Sequence, residues 1–248
     1  MAHAGLPHTG IVSSESATHL VLVHSPRVGP SFWQPVGAAL CAAGLRTHTP
    51  MLPSLAMSYA PFWLAHAAAI ANGLPEGSDI VLAAHSGAGV LLPAIGRLAR
   101  NREARIHIAG YVFIDCDLPK DGLSRLDLFA SSDEADQLRA AARNGWLPHF
   151  TDRQLAPTIT DAAVRSAFIA EQPLLSVNVY EEALLVPDDW PEAPCAYMQL
   201  SRFYPESVRR ARQEGWLFEH IESHHFLPLA APLQFAAALR EVVGALQA

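Results

Sequence analysis

The stretch that decides the fold is IVLAAHSGAGVLLPAIGRLAR, residues 80–100. It starts with an aliphatic run at 80–84, which is typical of a strand buried on both faces. Ser86 and Gly87 follow after a single residue, and apolar residues return at mostly helical spacing from position 90 onward. A strand that turns directly into a helix at one serine presents that hydroxyl outward. The Gly87 N–H then lies in the first helical turn, where it is available to an oxyanion. The stretch therefore predicts a nucleophile elbow.

The pentapeptide at 84–88, Ala-His-Ser-Gly-Ala, resembles the Gly-x-Ser-x-Gly elbow of the α/β-hydrolase superfamily. Alanine replaces both outer glycines, and because it is the smallest residue that has a Cβ, we expect the tight packing of strand and helix to survive. The resemblance implies an α/β-hydrolase fold, with a mostly parallel sheet of about six strands flanked by helices. It also implies an esterase-like enzyme whose helical cap is inserted before the last two strands.

Strand and helix patterns alternate on both sides of the elbow. Strands are predicted at 19–23, 45–51, 80–84, 106–114, 195–200 and 217–221, and helices at about 33–43, 58–72, 205–214 and 229–246. The alternation pauses at 120–191, where helical stretches are predicted near 133–143 and 161–171. Long excursions of this kind are usually functional lids, although a structural side layer is the alternative. We therefore predict a flexible N-terminus (1–18), an α/β-hydrolase core (19–118 and 194–248) and a helical cap or lid (119–193).

Composition excludes several classes of function. Half of the 248 residues are apolar, which suffices for a full core, yet no apolar stretch reaches the roughly 18 residues of a membrane span. The formal net charge of -7 disfavours nucleic acids and anionic membrane surfaces as partners. The N-terminal stretch lacks the basic start and apolar run of a signal peptide, and the three cysteines form no close pair. We therefore expect a cytoplasmic protein with reduced cysteines.

Three residues with the chemistry of a Ser-His-Asp triad each follow a predicted strand: Ser86, Asp115 and His225. In an open parallel sheet, ligands bind at the carboxyl ends of the strands, so we expect these three side chains to share one edge. A serine hydroxyl is a poor nucleophile until a base takes its proton. Histidine suits that role because its unperturbed pKa of about 6.5 lies near neutrality.

The base is assigned by resemblance. The stretch ESHHFLPLAAP at 222–232 is similar to the Gly-His-Phe…Leu…Pro stretch that opens the final helix in this superfamily. The spacing to the last proline assigns the base to His225. His224, which stands where glycine is common, is the rival.

The acid departs from the commonest pattern. The superfamily often places its aspartate after the next-to-last strand, but the matching position here is Ser201, which cannot supply the charge that stabilises an imidazolium. Some relatives carry the acid one strand earlier, after the strand that follows the elbow helix. The resemblance therefore implies that Asp115 orients His225, with Asp117 as the alternative.

The oxyanion hole also departs from the family. One donor comes from the residue after the elbow serine, here Gly87, and the other from the residue after a His-Gly pair at the end of the first core strand. That pair reads His24-Ser25 here, and the next residue is Pro26, which has no N–H. We expect the Arg27 backbone N–H, or a side chain of Ser25 or Arg27, to serve instead. Arg27 near the nucleophile also suggests recognition of an anionic or carbonyl group.

Trp146, beside Gly145 and Pro148 in the predicted cap, is a candidate to line an apolar substrate pocket. No Cys-x-x-Cys pattern occurs, and no Gly-x-Gly-x-x-Gly follows a predicted strand, so we predict neither a metal nor a cofactor.

These features predict a cofactor-independent serine hydrolase of an ester, thioester, lactone or similar small acyl substrate. Two alternatives stay open. The first is a non-hydrolytic enzyme of the same fold, such as a lyase, acyltransferase or cyclase in a biosynthetic pathway, an alternative that Pro26 motivates. The second is a catalytically silent member that binds a ligand, which Ser201 and Pro26 both motivate. The expected partner is a small-molecule acyl substrate and not a nucleic acid or a membrane, and a homodimer is left open.

Overall fold

A computed structural model describes residues 18–53, 60–102 and 106–248 of the chain. Its centre is a six-stranded sheet in the order β2-β1-β3-β4-β5-β6, and all neighbouring strands are parallel. The strands are β1 (His19–Val23), β2 (Arg46–His48), β3 (Asp79–His85), β4 (His107–Ile114), β5 (Cys195–Gln199) and β6 (Leu217–His220). The predicted fold class is thereby confirmed.

The central strands bury both of their faces, because successive side chains of a strand point to opposite sides of the sheet. In β1, Val21 and Val23 pack into one core cluster, and Leu20 and Leu22 pack into the other. Strand β3 alternates in the same way along its aliphatic run. Near-continuous aliphatic runs therefore mark these strands in the sequence, as is typical of a parallel sheet covered on both sides.

Helices cover both faces of the sheet. The helices of the described ranges are α1 (Gln34–Ala42), α2 (Phe62–Asn72), α3 (Leu92–Arg100), α4 (Ser132–Ala141), α5 (Asp152–Leu155), α6 (Ala162–Ala170), α7 (Asn178–Glu181), α8 (Pro205–Gln213), α9 (Leu227–Ala230) and α10 (Pro232–Leu246). Helices α2 and α3 pack on one core cluster, and α1 and α10 pack on the other. Across the described ranges, no helix has the combination of length and hydropathy needed to cross a bilayer.

Two elements differ in extent from the prediction. Strand β2 covers only Arg46–His48, because it is an edge strand paired with β1 alone and Pro50 has no N–H to extend the ladder. The final helix is split into α9 and α10 at Ala231, whose backbone is not helical. The cause is Pro232, since a proline ring disfavours helical geometry in the residue before it.

Two predictions fall outside the described ranges, wholly or in part. The N-terminus predicted to be flexible over 1–18 is described only at its last residue, and the helix predicted from 58 is described from α2 onward.

The insertion, defined as residues 119–193, contributes α4 to α7 and no strand of the sheet. It contacts the core through glutamates that accept hydrogen bonds from core backbone. Glu182 accepts from the N–H groups of Phe62 and Trp63 at 2.7 and 3.0 Å, at the start of α2. Glu171 accepts from the Ser31 N–H at 2.8 Å. The insertion is thus attached to the core through backbone N–H groups at the start of α2 and of the 3₁₀-turn Pro30–Phe32, which have no acceptor within their own helix and attract negative charge.

Candidate active site

Ser86 occupies a sharp turn between β3 and the helical segment that leads into α3. Its φ is 56°, in the left-handed region that non-glycine residues rarely adopt, and it is the first residue of a 3₁₀-helix that spans Ser86–Leu91. Strain of this kind persists only where the surrounding structure enforces it, and it is concentrated at functional sites. The backbone at Ser86 therefore has the geometry of a nucleophile elbow.

Asp115 occupies the corresponding place on the neighbouring strand. His85 and Ile114 are paired in the register of β3 and β4, so Ser86 and Asp115 each lie one residue beyond that pair. Asp115 also has a positive φ, 42°. Its backbone N–H donates to the Met198 carbonyl at 2.8 Å, which continues the pairing toward β5. The parallel register thus places both side chains at the carboxyl edge of the sheet.

The Asp115 carboxylate is almost fully buried and surrounded by donors. His225 Nδ1–H donates to Oδ2 at 2.7 Å, and the Ser201 hydroxyl donates to the same oxygen at 2.6 Å. The backbone N–H groups of Leu200 and Ser201 donate to Oδ1 at 3.0 and 2.9 Å. Burial alone would raise the pKa of Asp115, but the bonds from His225 and these other donors outweigh it and hold the pKa at about 2. The group is therefore an anion at neutral pH.

His225 lies in the loop that follows β6, and two groups fix its ring and backbone. Asp115 accepts from Nδ1–H, which leaves Nε2 with the lone pair that a general base needs. On the other side, His85 Nε2–H donates to the His225 backbone carbonyl at 2.9 Å. Burial, together with the nearby His225, lowers the pKa of His85 well below its usual value, so His85 is a neutral donor. The His85 ring stacks on Phe32 with centroids 4.6 Å apart.

Ser86 and His225 open into one cavity of about 620 Å³. Its wall includes Phe129, Leu138 and Tyr180 of the insertion. The Ser86 hydroxyl lies 3.5 Å from Tyr204 Oη. Among the described residues, Tyr204 and not His225 is its side-chain hydrogen-bond partner. If the Ser86 side chain rotated about its Cα–Cβ bond to another staggered rotamer, its hydroxyl would exchange Tyr204 for a different hydrogen-bond partner.

The loop after β1 places Ser25 and Arg27 in the wall of the same cavity. Ser25 is buried, and its Oγ lies 3.0 Å from the point where a Cβ on Gly87 would be. Ser25 Oγ accepts a hydrogen bond from the Arg27 N–H at 3.4 Å, so the hydroxyl hydrogen remains to be donated elsewhere. The Arg27 side chain donates to the Pro148 carbonyl at 2.7 Å. Pro26 lines a separate cavity of about 310 Å³.

Asp117 and His224, the alternatives to the predicted triad residues Asp115 and His225, have other surroundings. Asp117 pairs with Arg125, whose Nε donates to its Oδ2 at 3.2 Å, and burial raises the pKa of Asp117 despite this cation. His224 Nδ1 is buried and has no hydrogen-bond partner within the described ranges. Trp146 lies elsewhere in the insertion, in isolated β-bridges to Arg143 and Ser176, and lines a different depression from the Ser86 cavity.

Sequence reasoning did not find three residues of this site. Arg125 and Tyr180 line the cavity, as does Tyr204, an aromatic residue that the sequence offers as a pocket candidate, and His85 supports the backbone of His225. Arg125 and Tyr180 lie in the insertion, which has no motif to assign them. His85 is the one with a local signal, because it stands inside the elbow pentapeptide. In the part of the chain that the structure describes, no group of three or more His, Cys, Asp or Glu side chains is arranged to hold a metal ion.

Comparison with solved structures gives fold-level similarity at low identity. An extracellular alpha/beta-hydrolase from a Paenibacillus species, described as sharing structural and functional homology with tobacco salicylic acid binding protein 2, superposes with a TM-score of 0.70. The two chains are 18% identical, and the superposition covers 91% of this chain and 98% of the other. Tomato methylketone synthase I, complexed with 2-tridecanone, gives a TM-score of 0.69 at 15% identity, with 92% and 98% covered.

A pyrethroid hydrolase from Sphingobium faniae gives a TM-score of 0.65 at 16% identity, with 92% of this chain and 98% of that chain covered. A search of curated protein sequences finds no match. The sequence profile of the Alpha/beta hydrolase family matches residues 20–238. This match spans most of the sequence. The elbow, the order of the strands and the positions of Ser86, Asp115 and His225 after strands are consistent with it, and the chain belongs to the alpha/beta hydrolase family.

Proposed function

We propose that this protein is a cofactor-independent serine hydrolase that acts on an ester, thioester, lactone or similar small acyl substrate. The observation that carries the proposal is the 2.7 Å hydrogen bond from His225 Nδ1 to the buried Asp115 carboxylate. That bond orients the imidazole so that its other nitrogen is a free base, and Ser86 at its strained elbow opens into the same cavity. These are the nucleophile, base and orienting acid of a catalytic triad.

In the first half-reaction, Ser86 Oγ attacks the carbonyl carbon of the substrate and His225 Nε2 takes the hydroxyl proton. The tetrahedral intermediate collapses when the bond to the leaving group breaks, and His225 gives its proton to that group. In the second half-reaction, His225 takes a proton from a water molecule as that water attacks the acyl-enzyme. The bond between the acyl carbon and Ser86 Oγ then breaks, and His225 returns the proton to Ser86 Oγ. Asp115, whose pKa is held at about 2, stays charged throughout and stabilises the imidazolium.

The oxyanion of each intermediate is held by the Gly87 N–H and the Ser25 hydroxyl in this proposal. Pro26 cannot donate, and the Arg27 N–H is directed to Ser25 Oγ at 3.4 Å. The Ser25 hydroxyl therefore retains its hydrogen, close to Gly87, for the reacting oxygen. Loss of one such donor typically costs about 3 kcal/mol of transition-state stabilisation, so we expect Ser25→Ala to slow turnover by roughly 100-fold.

The insertion acts as the cap over the site in this proposal. Phe129, Leu138 and Tyr180 supply part of the cavity wall, which suits the acyl or leaving group of a largely apolar substrate.

A non-hydrolytic reaction is the second candidate, and one observation favours it. The Ser86 hydroxyl contacts Tyr204 Oη at 3.5 Å, where a phenol could exchange protons with a bound substrate. A variant of the structurally similar tomato methylketone synthase I has been solved with β-ketoheptanoate, a keto acid, bound. For this candidate, Ser86→Ala abolishes turnover of the true substrate although simple p-nitrophenyl esters are poor substrates of the wild type.

The test of the proposal is labelling with a small fluorophosphonate, followed by intact mass measurement and peptide mapping. We expect one adduct on Ser86 in the wild type, and none in Ser86→Ala or His225→Ala, because phosphonylation requires a serine activated by its base. Ser223→Ala, which changes an exposed serine of the β6 loop, is the matched control and should label like the wild type. Absence of any adduct, or an adduct that persists in His225→Ala at the wild-type rate, would contradict the proposal.

A further inference from the structure

Arg125 is a buried cation of the insertion that lies against the elbow. Its side chain is 5% exposed, and it lines the cavity that Ser86 and His225 share. A Cβ built on Gly87 would lie 2.5 Å from Arg125 Nη1, so any larger residue at position 87 would require this guanidinium to move. Because Gly87 has no side chain, the permanently charged guanidinium of Arg125 can lie next to Ser86.

Asp117 and Tyr180 bind the guanidinium of Arg125 and leave some of its N–H groups without a partner among the described residues. Nε donates to Asp117 Oδ2 at 3.2 Å, and Nη2 lies 3.1 Å from the same oxygen. Nη1 donates to Tyr180 Oη at 3.2 Å. Each Nη nitrogen carries two N–H groups, so Nη1, the atom that faces Gly87, retains a further donor. A buried guanidinium that is held rigidly at one edge is suited to bind a planar anion at another.

The charges around the cavity agree with an anionic ligand. Three arginines line it, namely Arg27, Arg125 and Arg202, whereas its acidic residues are Asp117 and Glu134. Asp117 is already paired with Arg125, and Glu134 and Arg202 are both exposed. The lining thus has one more positive than negative side chain, although the chain as a whole has a formal net charge of -7. A site of this kind concentrates anions and orients them toward its buried cation.

We propose that Arg125 is a substrate-binding residue that selects acyl substrates carrying a carboxylate, and that this carboxylate lies beside Gly87 on Arg125 Nη1. The proposal rests on the proposed function for the reacting carbonyl, and it adds the chemical class of the substrate. The rest of the substrate would contact the apolar wall formed by Phe129 and Leu138. A carboxylate held at this point fixes the distance between anion and carbonyl, and so favours short acids over long ones.

The test measures binding, so that it does not depend on turnover. The affinities of hexanoate and of 1-hexanol are compared by titration calorimetry, because the two probes share an apolar chain and differ in charge. We expect hexanoate to bind the wild type at least about 10-fold more tightly than 1-hexanol, as one charge-assisted hydrogen bond can supply. The Ser86→Ala variant should keep the preference for hexanoate over 1-hexanol, since the substitution removes only the nucleophilic hydroxyl.

Removal of Arg125 must not leave Asp117 as an uncompensated buried charge, because that alone destabilises a fold. The key variant is therefore the double change Asp117→Asn with Arg125→Gln, checked for folding by thermal unfolding. We expect it to bind both probes within about twofold of each other, while Arg125→Lys keeps part of the preference. Arg209→Gln, which removes one positive charge outside the cavity, should behave like the wild type.

Retention of the hexanoate preference in the folded double variant, or absence of the preference in the wild type, would overturn the proposal. Fluorophosphonate labelling of the same preparations separates this result from the proposed function. A labelled wild type without carboxylate preference rejects the role of Arg125 alone. An unlabelled wild type that still prefers hexanoate rejects the serine hydrolase alone.

Discussion

Asp115 binds four donors through two oxygens, and the arrangement is compatible with a triad acid at the end of β4, as proposed above. Leu200 and Ser201 donate through their backbones to Oδ1, and Ser201 Oγ and His225 Nδ1 donate to Oδ2. Ser201 is the position that matches the acid in many family members. Its hydroxyl reaches the very oxygen that orients His225, so the two positions converge on one point in space. A carboxylate from either strand end could therefore serve the same ring.

This convergence makes a transfer of the acid testable. We expect Asp115→Ser to lower kcat/KM by about 10³ to 10⁴, since the imidazole loses its orienting charge. Adding Ser201→Asp to that variant should recover at least about 10-fold, because the new carboxylate starts next to the same nitrogen. The measurement is ester hydrolysis by both variants and the wild type.

Ser201→Ala alone is the control. It removes one neutral donor to Asp115 and keeps the acid, so its activity should fall by no more than about 10-fold. A double variant no more active than Asp115→Ser would show that the position of the backbone, and not only the charge, is required.

Among the secondary structure elements, the start of α2 is the one most dependent on the insertion. The residue before α2 is Pro61, which has no side-chain oxygen to cap the helix. Glu182 supplies that cap from the end of α7, with its two carboxylate oxygens on two backbone N–H groups at 2.7 and 3.0 Å. A charged acceptor on a helix N-terminus also gains from the helix dipole. One side chain thus caps a core helix and attaches the insertion.

We expect Glu182→Ala to lower the free energy of unfolding by about 1–2 kcal/mol, the usual effect of losing a helix cap. Thermal or urea unfolding measures this directly. Glu181→Ala is the matched control, because the neighbouring glutamate pairs with Arg139 at the surface and should matter by less than about 1 kcal/mol. Equal losses for the two variants would contradict the capping role.

For the whole molecule, buried neutral histidines set the response to acid. Burial lowers the pKa values of His24 and His85, and burial, opposed by a bond to the Pro53 carbonyl, lowers that of His66 to about 4. In the unfolded chain a histidine titrates near 6.5. At a pH between about 4 and 6.5, the unfolded state binds a proton at His66 that the folded state does not bind. The free energy of unfolding therefore falls as the pH falls through this range.

We expect the wild type to lose stability steadily between about pH 6.5 and pH 4, and His66→Gln to lose about 3 kcal/mol less over that range. The measurement is urea unfolding at a series of pH values, with the slope against pH as the readout. His149→Gln is the control, since His149 is exposed although it also bonds a backbone carbonyl. A pH slope that is unchanged in His66→Gln would contradict the role assigned to its burial.

The order of the strands and helices can be read from local patterns of residues, because each element depends mainly on its own stretch of sequence. Aliphatic runs for doubly buried strands, helical spacing after the elbow and the placement of Ser86, Asp115 and His225 after strands are all properties of neighbouring residues. Parallel pairing then brings strand ends to one edge, which is why three residues far apart in the chain could be predicted to lie together. The confirmed fold class rests on these local signals, whereas the triad roles, the cytoplasmic location and the homodimer stay predictions.

The residues that line the cavity depend on how distant parts of the chain pack together. The insertion has no strands to align it, and its side chains reach the site from positions 120 to 180 through contacts that no spacing rule describes. Trp146, predicted to line the pocket, therefore lies elsewhere, whereas Arg125 and Tyr180 line it. The same holds for Ser201, whose hydroxyl reaches Asp115 only because β4 and β5 are adjacent. Local patterns specify elements, but the packing of distant surfaces specifies which side chains meet, because that depends on the shape and charge of both partners at once.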